Sequence, residues 1–358
     1  AARRQSEEAG FAVQTTRLAT VPFPDYLPVD NLSRLIQSAQ QLEEAAGEQG
    51  FAYLALGPAL PEIPASYAVI PDVLAATHNT FFSGVIAEPR GGVSLPAVRA
   101  CAEIIQQLAA QDSNGFGNLY FAALANVPAG APFFPAAYHD SAEPAFAFAL
   151  QAADLAVQAF RSAASLDDAR RSLVTAVQQH AARLEQVGKD LERQFGVHFR
   201  GLDFTLAPFP EEAHSIGAAL EALGLPAFGL PGSLAAAAFL TESLERAVYQ
   251  RTGFNGLMLP VLEDAVLAHR AAERTFSLNE LLLYSAVCGT GLDTIPLPGD
   301  ASPAQLAAVL LDLAALALRL DKPLTARLMP IPGKAAGDST GFDFAFFANS
   351  PVLELDVP

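Results

Sequence analysis

The sequence predicts an α/β protein, a largely parallel sheet with helices packed outside it, and three observations carry that prediction. Short apolar runs of strand type alternate with segments whose apolar residues recur every three or four positions. Those segments run to ten residues or more, the length that a crossover between parallel strands requires. Half of the 358 residues are apolar (51%) against 16% charged, which excludes wholesale disorder. The 25 glycines and 26 prolines are spread along the chain, with no Gly-, Ser- or charge-rich linker and no repeat of fixed period. One α/β domain over 11–358 is therefore expected, after a polar, flexible segment at 1–10.

In chain order, residues 15–24 (TTRLATVPFP) read as the first strand. Asn31 or Ser33 then caps a helix whose apolar residues Leu32, Leu35, Ile36, Ala39 and Leu42 recur at helical spacing. A strand follows at 51–56, a short helix near 66–76 and an extended segment at 81–88. A helix over 94–111 carries Val98, Cys101, Ile104, Ile105 and Leu108 on one face, so Cys101 reads as core; a strand at 118–126 comes next. The long helical region 151–195 breaks near 163–166 and restarts where Ser165 caps and Asp167 and Asp168 favour the positive helix end. The second half reads as strand 198–206, helices 214–223 and 233–250, strand 256–261, helices 264–274 and 278–287, strand 292–297, helix 302–320 and strand 324–331.

A formal charge of −17 repels polyanions, so no nucleic-acid partner is expected. Cys101 and Cys288 are too few for a disulfide scaffold or a thiolate zinc site, and a cytoplasmic protein is expected. No membrane span is expected either, since the apolar run at 310–320 carries Asp312 and Arg319; the opening AARRQSEEAG lacks the apolar stretch of a signal peptide.

Chemistry in such folds gathers where strands pass into loops. The connection 126–139 holds three prolines and three aromatics before His139, and it suits a substrate wall presenting one imidazole or a packed loop with a bonded histidine. Asp203, inside a strand, reads as a general base or as the partner of Arg200 or a backbone amide. Gly229-Leu-Pro-Gly232-Ser233 opens a helix, where free amides at Gly232 and Ser233 suit an anion and Ser233 equally suits its own cap. Glu263 and Asp264 end a buried strand as metal ligands or helix caps. Around 285–300, Gly289 and Gly291 permit a tight turn that brings Cys288, Thr290 and Asp293 to a connection, with the thiol a candidate nucleophile. Only three of the 21 basic residues are lysine, and Lys334, in a Pro-Gly-Lys turn after the strand bearing Thr325 and Arg327, is a candidate anchor for an anionic group. Asp338 lies in a further turn that ligates or merely bends.

The strings PFFPAAYHD (132–140), GLDFTLAPFP (201–210), GLPGSLAAAAFLT (229–241), GLMLPVLED (256–264), YSAVCGTGLDTIPLPGD (284–300) and KPLTARLMPIPGKAAGD (322–338) resemble the family called domain of unknown function 711, also uncharacterised protein family 0210. The resemblance runs in order over roughly residues 12–350. It implies a barrel like that of pyruvate formate-lyase and related glycyl radical enzymes, about ten strands in two parallel halves with helices outside and a loop entering the middle. By position Cys288 would take the inner-loop cysteine's place. The segment 333–352 (GKAAGDSTGFDFAFFANSPV) departs from the radical-glycine motif with its following arginine, so radical chemistry is not implied.

The functional expectation is an enzyme acting on a small anionic or polar metabolite at a pocket of strand-end loops. In it, Lys334, Arg327, Thr290 and the amides at Gly232 and Ser233 anchor; His139, Asp203 and Asp293 move protons; Cys288 is nucleophile or contact. The alternative is a non-catalytic small-molecule-binding or regulatory protein on the same barrel. A divalent metal held by Asp203, Asp264 and Asp293, with Glu263 and Asp338 as further carboxylates, is a third reading without any ligand-spacing signature. The apolar composition also points to a homo-oligomer.

Overall fold

Apolar strands and amphipathic helices alternate through the whole of the computed structural model, which describes residues 1–355. The elements are α1 (Ala2–Glu8), β1 (Arg17–Ala19), α2 (Leu32–Glu48), β2 (Tyr53–Ala59), α3 (Ala65–Ala68), α4 (Ile70–Ala75), β3 (Thr80–Glu88), β4 (Gly92–Val93), α5 (Leu95–Ala110), β5 (Phe121–Ala125), β6 (Ala145–Ala149), α6 (Ala153–Arg161), α7 (Leu166–Phe195), β7 (His198–Asp203), α8 (Ile216–Glu221), α9 (Ser233–Glu245), α10 (Ala265–Ala272), α11 (Leu278–Cys288), β8 (Gly291–Pro298), α12 (Pro303–Leu320) and β9 (Leu324–Ile331). Local chemistry sets the helix starts. The Asn31 side chain accepts the amide of Arg34 at 3.1 Å and Ser165 that of Asp168 at 3.2 Å, while Ser277 and Ser302 close capping boxes with Glu280 and Gln305. Residues 2–8, read from their polarity as part of a flexible segment, are helical; Arg3 donates to Val13 O and Gln5 to the side chain of Gln194 in α7.

Seven strands form one sheet in the order β1-β2-β3-β5-β9-β8, with β4 folded antiparallel onto β3. The first four run parallel, β9 runs antiparallel to β5, and β8 returns parallel to β9. A separate parallel pair joins β6 to β7. The ladders make a mixed, mostly parallel sheet with helices outside, and not a closed barrel of about ten strands. Isolated bridges join Leu202 to Arg251 and Pro260 to Asp293, and only the second falls on a further run expected as a strand. The run 256–261, expected as a strand, touches β8 by that single bridge. Pro260 has no amide to donate there, and Gly256 lies so close to Cys288 O that a Cβ would sit 2.2 Å from it. Conversely, the alternating Ala145-Phe-Ala-Phe-Ala of β6 is a strand that the sequence reading passed over.

The outer sheet face carries the main core. Phe82, Ile86, Phe121, Ala123, Leu324 and Leu328 lie under α5 and α12, and α12 contributes Leu306, Leu310, Leu313 and Ala317 at three- and four-residue spacing. By length and composition α12 is apolar enough to cross a membrane, contrary to the expectation drawn from Asp312 and Arg319. Its buried stripe packs against α5 and the sheet. The inner face is covered twice. Near β5, Ala122 and Leu124 pack against Val127, Ala131 and Ala136 of the connection after that strand. Toward the end of β9, Met329 and Ile331 pack against Phe342, Phe347 and Val352. Between the two covers lies the site.

Candidate functional site

A bulge on β8 turns a carboxylate toward the interior. Leu292 and Ile295 both belong to the outer core, which strict alternation over three positions forbids; the register slip between them supplies the extra residue. Asp293 is thereby free to line the inner cavity. Thr294 takes the bulge at φ 42°, a left-handed conformation costly for a β-branched side chain, and its buried hydroxyl has no partner among the described residues. In the neighbouring ladder Leu124 opposes Thr325, so Ala122 and Arg327, two positions further on, share the same inner face.

The centre of the site is one guanidinium held by two carboxylates. Arg327 Nε donates to Asp293 Oδ1 at 2.6 Å, and Nη2 donates to Glu263 Oε1 at 2.7 Å. The Arg327 and Asp293 side chains are 9% and 10% exposed, that of Glu263 22%. Burial pulls the Arg327 guanidinium down, but Asp293 and Glu263 more than restore it, for a net upward displacement. Glu263 is pushed up to about 7, by burial first and by the charge of Asp293, against the pull of Arg327 and Arg17. Glu263, which shares the Arg327 fork with Asp293, thus retains its proton close to neutrality.

Over this cluster lies a cavity. Its walls are Phe133, Phe134 and Pro135 from the connection after β5, Phe254 and Met258 from the segment before α10, and Ala122 with Thr290 and Thr325 from the sheet side. It measures about 340 Å³ with its open mouth, of which about 20 Å³ admits a water-sized body, room for one water. A larger ligand requires the aromatic wall to give. Both threonine hydroxyls already donate to backbone carbonyls, Thr290 to Leu257 O at 2.7 Å and Thr325 to Thr290 O at 3.0 Å. Arg17 approaches from β1, its guanidinium carbon 5.4 Å from the Tyr53 ring centroid and 5.5 Å from that of Phe134. Partial desolvation by the neighbouring groups draws the guanidinium of this solvent-exposed residue down, while Tyr53 and Glu263 draw it up. Phe81 joins Tyr53, Tyr120 and Phe134 by ring contacts, with centroids 5.4, 4.9 and 5.4 Å away.

Of the residues singled out in the sequence, Asp293, Arg327 and Thr290 line this cavity together, with Glu263 bonded to it from the side. Two others stand behind its walls. Cys288 is fully buried and meets Thr290 through the amide at 3.5 Å from Sγ, so the thiol lies in the core rather than at a connection. Asp203 is fully buried and accepts the amides of Phe254 at 2.8 Å and Asn255 at 2.9 Å, besides the Thr205 hydroxyl. Burial raises its carboxyl to about 6 against those donors, and Gly253 permits the approach, since a Cβ there would lie 2.1 Å from Asp203 Oδ2. Asp203 therefore positions Phe254 and does not face the cavity.

The remaining candidates lie elsewhere. His139 bonds its own loop, Nε2 to Glu143 O at 2.7 Å and to Ser141 Oγ at 3.1 Å, and its amide donates to Thr20 O. The Ser233 hydroxyl is spent within its turn, between the Gly229 amide and Leu230 O, and Gly232 adopts φ 108° as the helix cap. Lys334 and Asp338 sit in exposed turns, Asp338 accepting the amide of Ala335. Asp264 is saturated as the common cap of α8 and α10, taking the Ser215 hydroxyl and the amides of Ile216, Val266 and Leu267. Asp203, Asp264 and Asp293 are thus in three separate places, and among the described residues no three His, Cys, Asp or Glu gather as a metal would require. Sequence reasoning missed Arg17, Tyr53, Phe81, Phe254 and Met258; the one signal available was the place of the first three near the starts of adjoining strands.

The family model described as "Uncharacterised ACR (DUF711)" matches residues 1–343. A UPF0210 protein of Pyrobaculum aerophilum is 34% identical over 355 residues, covering 94% of this chain and 78% of that protein. One from Pyrobaculum arsenaticum is 33% identical over the same shares, and one from Methanopyrus kandleri is 31% identical over 98% of this chain and 81% of its own length.

Proposed function

We propose, for a chain that belongs to the DUF711 (UPF0210) family, that the inner-face cavity binds a small anionic metabolite at Arg327 and that the Asp293–Glu263 pair moves a proton on it. The observation that carries this reading is the half-used guanidinium. Two of its five N–H groups are taken by Asp293 and Glu263, and the other three have no protein partner among the described residues. A buried guanidinium with donors to spare, lining a cavity open at one end, is matched by an anion. Glu263, displaced to about 7, is poised to give or accept a proton at physiological pH, which the ordinary carboxylate is not.

The class of chemistry supported is general acid–base transfer next to an anchored anion. Neither Cys288 nor His139 reaches the cavity, so nucleophilic roles for them have no geometric support. The narrowness of the cavity favours a second reading, a binding or regulatory protein in which the same arginine holds a ligand without turnover. A metabolite-library thermal-shift screen, with mass spectrometry of each incubated hit, separates the two. The enzyme reading expects a stabilising hit that is consumed by the wild type and left intact by Glu263→Gln. A hit bound and never converted supports the second reading. Hits that stabilise Arg327→Met as well as the wild type remove both.

A further inference from the structure

Beyond the general class of small anions, and resting on the reading above, we infer that the ligand is a monocarboxylate carried on an aromatic or similarly planar apolar body. The cavity offers hydrogen-bonding capacity at one end only. Arg327 has three N–H groups to spare, while the hydroxyls of Thr290 and Thr325 donate their protons to backbone carbonyls. Apart from Asp293, which is bonded to Arg327 at that same end, the rest of the lining is hydrocarbon: Ala122, Phe133, Phe134, Pro135, Phe254 and Met258. A polyhydroxylated ligand would lose its water partners against that wall and find few in exchange. A phosphate carries more charge and more acceptors than one partly occupied guanidinium answers.

The aromatic character continues beyond the wall residue Phe134. From Arg17 the rings run Tyr53, Phe81 and Phe134, and a branch from Phe81 continues through Tyr120 and Phe116 to Phe344, each in edge or tilted contact with the next. Phe133 and Phe134, which line the cavity, are only half-buried, as are Tyr120, Phe116 and Phe344 further along the run. Arg17 lies over two of those rings, a second cation for the anion to pass or to bind, and Met258 adapts to a ring more readily than a branched side chain would.

The test is calorimetric titration of the full chain with benzoate, phenylacetate, propionate and benzamide. The inference expects benzoate or phenylacetate to bind about tenfold or more tighter than propionate, which has the charge without the ring, and than benzamide, which has the ring without the charge. Arg17→Met and Phe134→Ala should each weaken the aromatic acid severalfold, whereas Arg90→Met, an exposed arginine beside the β3–β4 turn, should not. Arg17 is on an edge strand and Phe134 is half-buried, so both variants are expected to fold; circular dichroism checks this. Equal affinity for propionate overturns the inferred class and leaves the anion site standing, whereas equal affinity for benzamide shows that charge is not recognised and counts against both. Absence of binding by all four, with another anion from the library binding in an Arg327-dependent way, overturns the inference alone. No Arg327-dependent ligand of any kind overturns both.

Discussion

Replacing Glu263 by glutamine removes one ionisation and almost no volume, which isolates the property on which the proton-transfer reading depends. The carboxyl is displaced from its ordinary 4.5 to about 7. For an acid raised in the folded state, the native protein holds the proton more tightly than the unfolded chain does. Its contribution to stability is therefore fully present below the unfolded value and is lost as pH rises from about 4.5 through the folded value, with no further change above it. At ~1.36 kcal/mol per pH unit, the interval is worth about 3 kcal/mol. Glutamine mimics the protonated form and still offers an oxygen to Arg327 Nη2. Glu263→Gln should match the wild type near pH 4 and become more stable than it by up to about 3 kcal/mol at pH 8, with most of the divergence between pH 5 and 7. Urea denaturation at half-unit intervals of pH, read as the difference between the two proteins at unchanged m-value, gives this curve directly. A difference that stays flat across pH 4.5–8, or one that favours the wild type at high pH, would show that the carboxyl ionises normally beside Arg327 and cannot serve as the proton carrier.

Other perturbations separate the cluster from its surroundings. Arg327→Met leaves Asp293 and Glu263 buried without their cation and should cost about 3–5 kcal/mol at pH 8, less at pH 5 where Glu263 holds its proton; thermal unfolding at the two pH values checks this. Gly253→Ala drives a methyl against the Asp203 carboxylate at a backbone φ of 74°, and should destabilise by about 3 kcal/mol or more while disordering the Phe254 wall, visible as lost ligand affinity. Cys288 and His139 should prove silent toward ligand. Cys288→Ala and His139→Ala are expected to bind within about twofold of the wild type, and the native Cys288 thiol should resist a thiol reagent until the protein unfolds.

Much of the architecture is written in local patterns, and what is not follows from contacts between distant segments. The α5 stripe of Val98, Cys101, Ile104, Ile105 and Leu108 and the Ser165 cap of α7 are periodicity and capping chemistry, so they are legible directly. The antiparallel turn of β9 against β5 is not, because strand neighbours are chosen by packing over 200 residues of separation. In the site, Asp293 and Arg327 could be named from their place at strand and turn, and Phe133 and Phe134 from the stiff loop that carries them. Glu263 appeared as a helix cap or metal ligand, since nothing in GLMLPVLED announces an arginine 64 positions on. Lys334 drew attention by scarcity, yet scarcity says nothing about exposure, and its turn faces outward. His139 and Cys288 illustrate the same gap: a reactive residue type in a suggestive loop is satisfied by its nearest backbone. Thr294 left no trace in the sequence, although its strained bulge is what lets both Leu292 and Ile295 reach the outer core and leaves Asp293 to the cavity.

A crystal structure of the protein soaked with the tightest-binding member of the aromatic-acid series addresses the cavity itself. The account predicts carboxylate density within about 3 Å of the Arg327 Nη atoms, the ring seated against Phe134 and Phe254, and the Phe133–Phe134 segment moved outward to make room. Ligand density elsewhere on the molecule, with Arg327 still closed over by its aromatic wall, would contradict it.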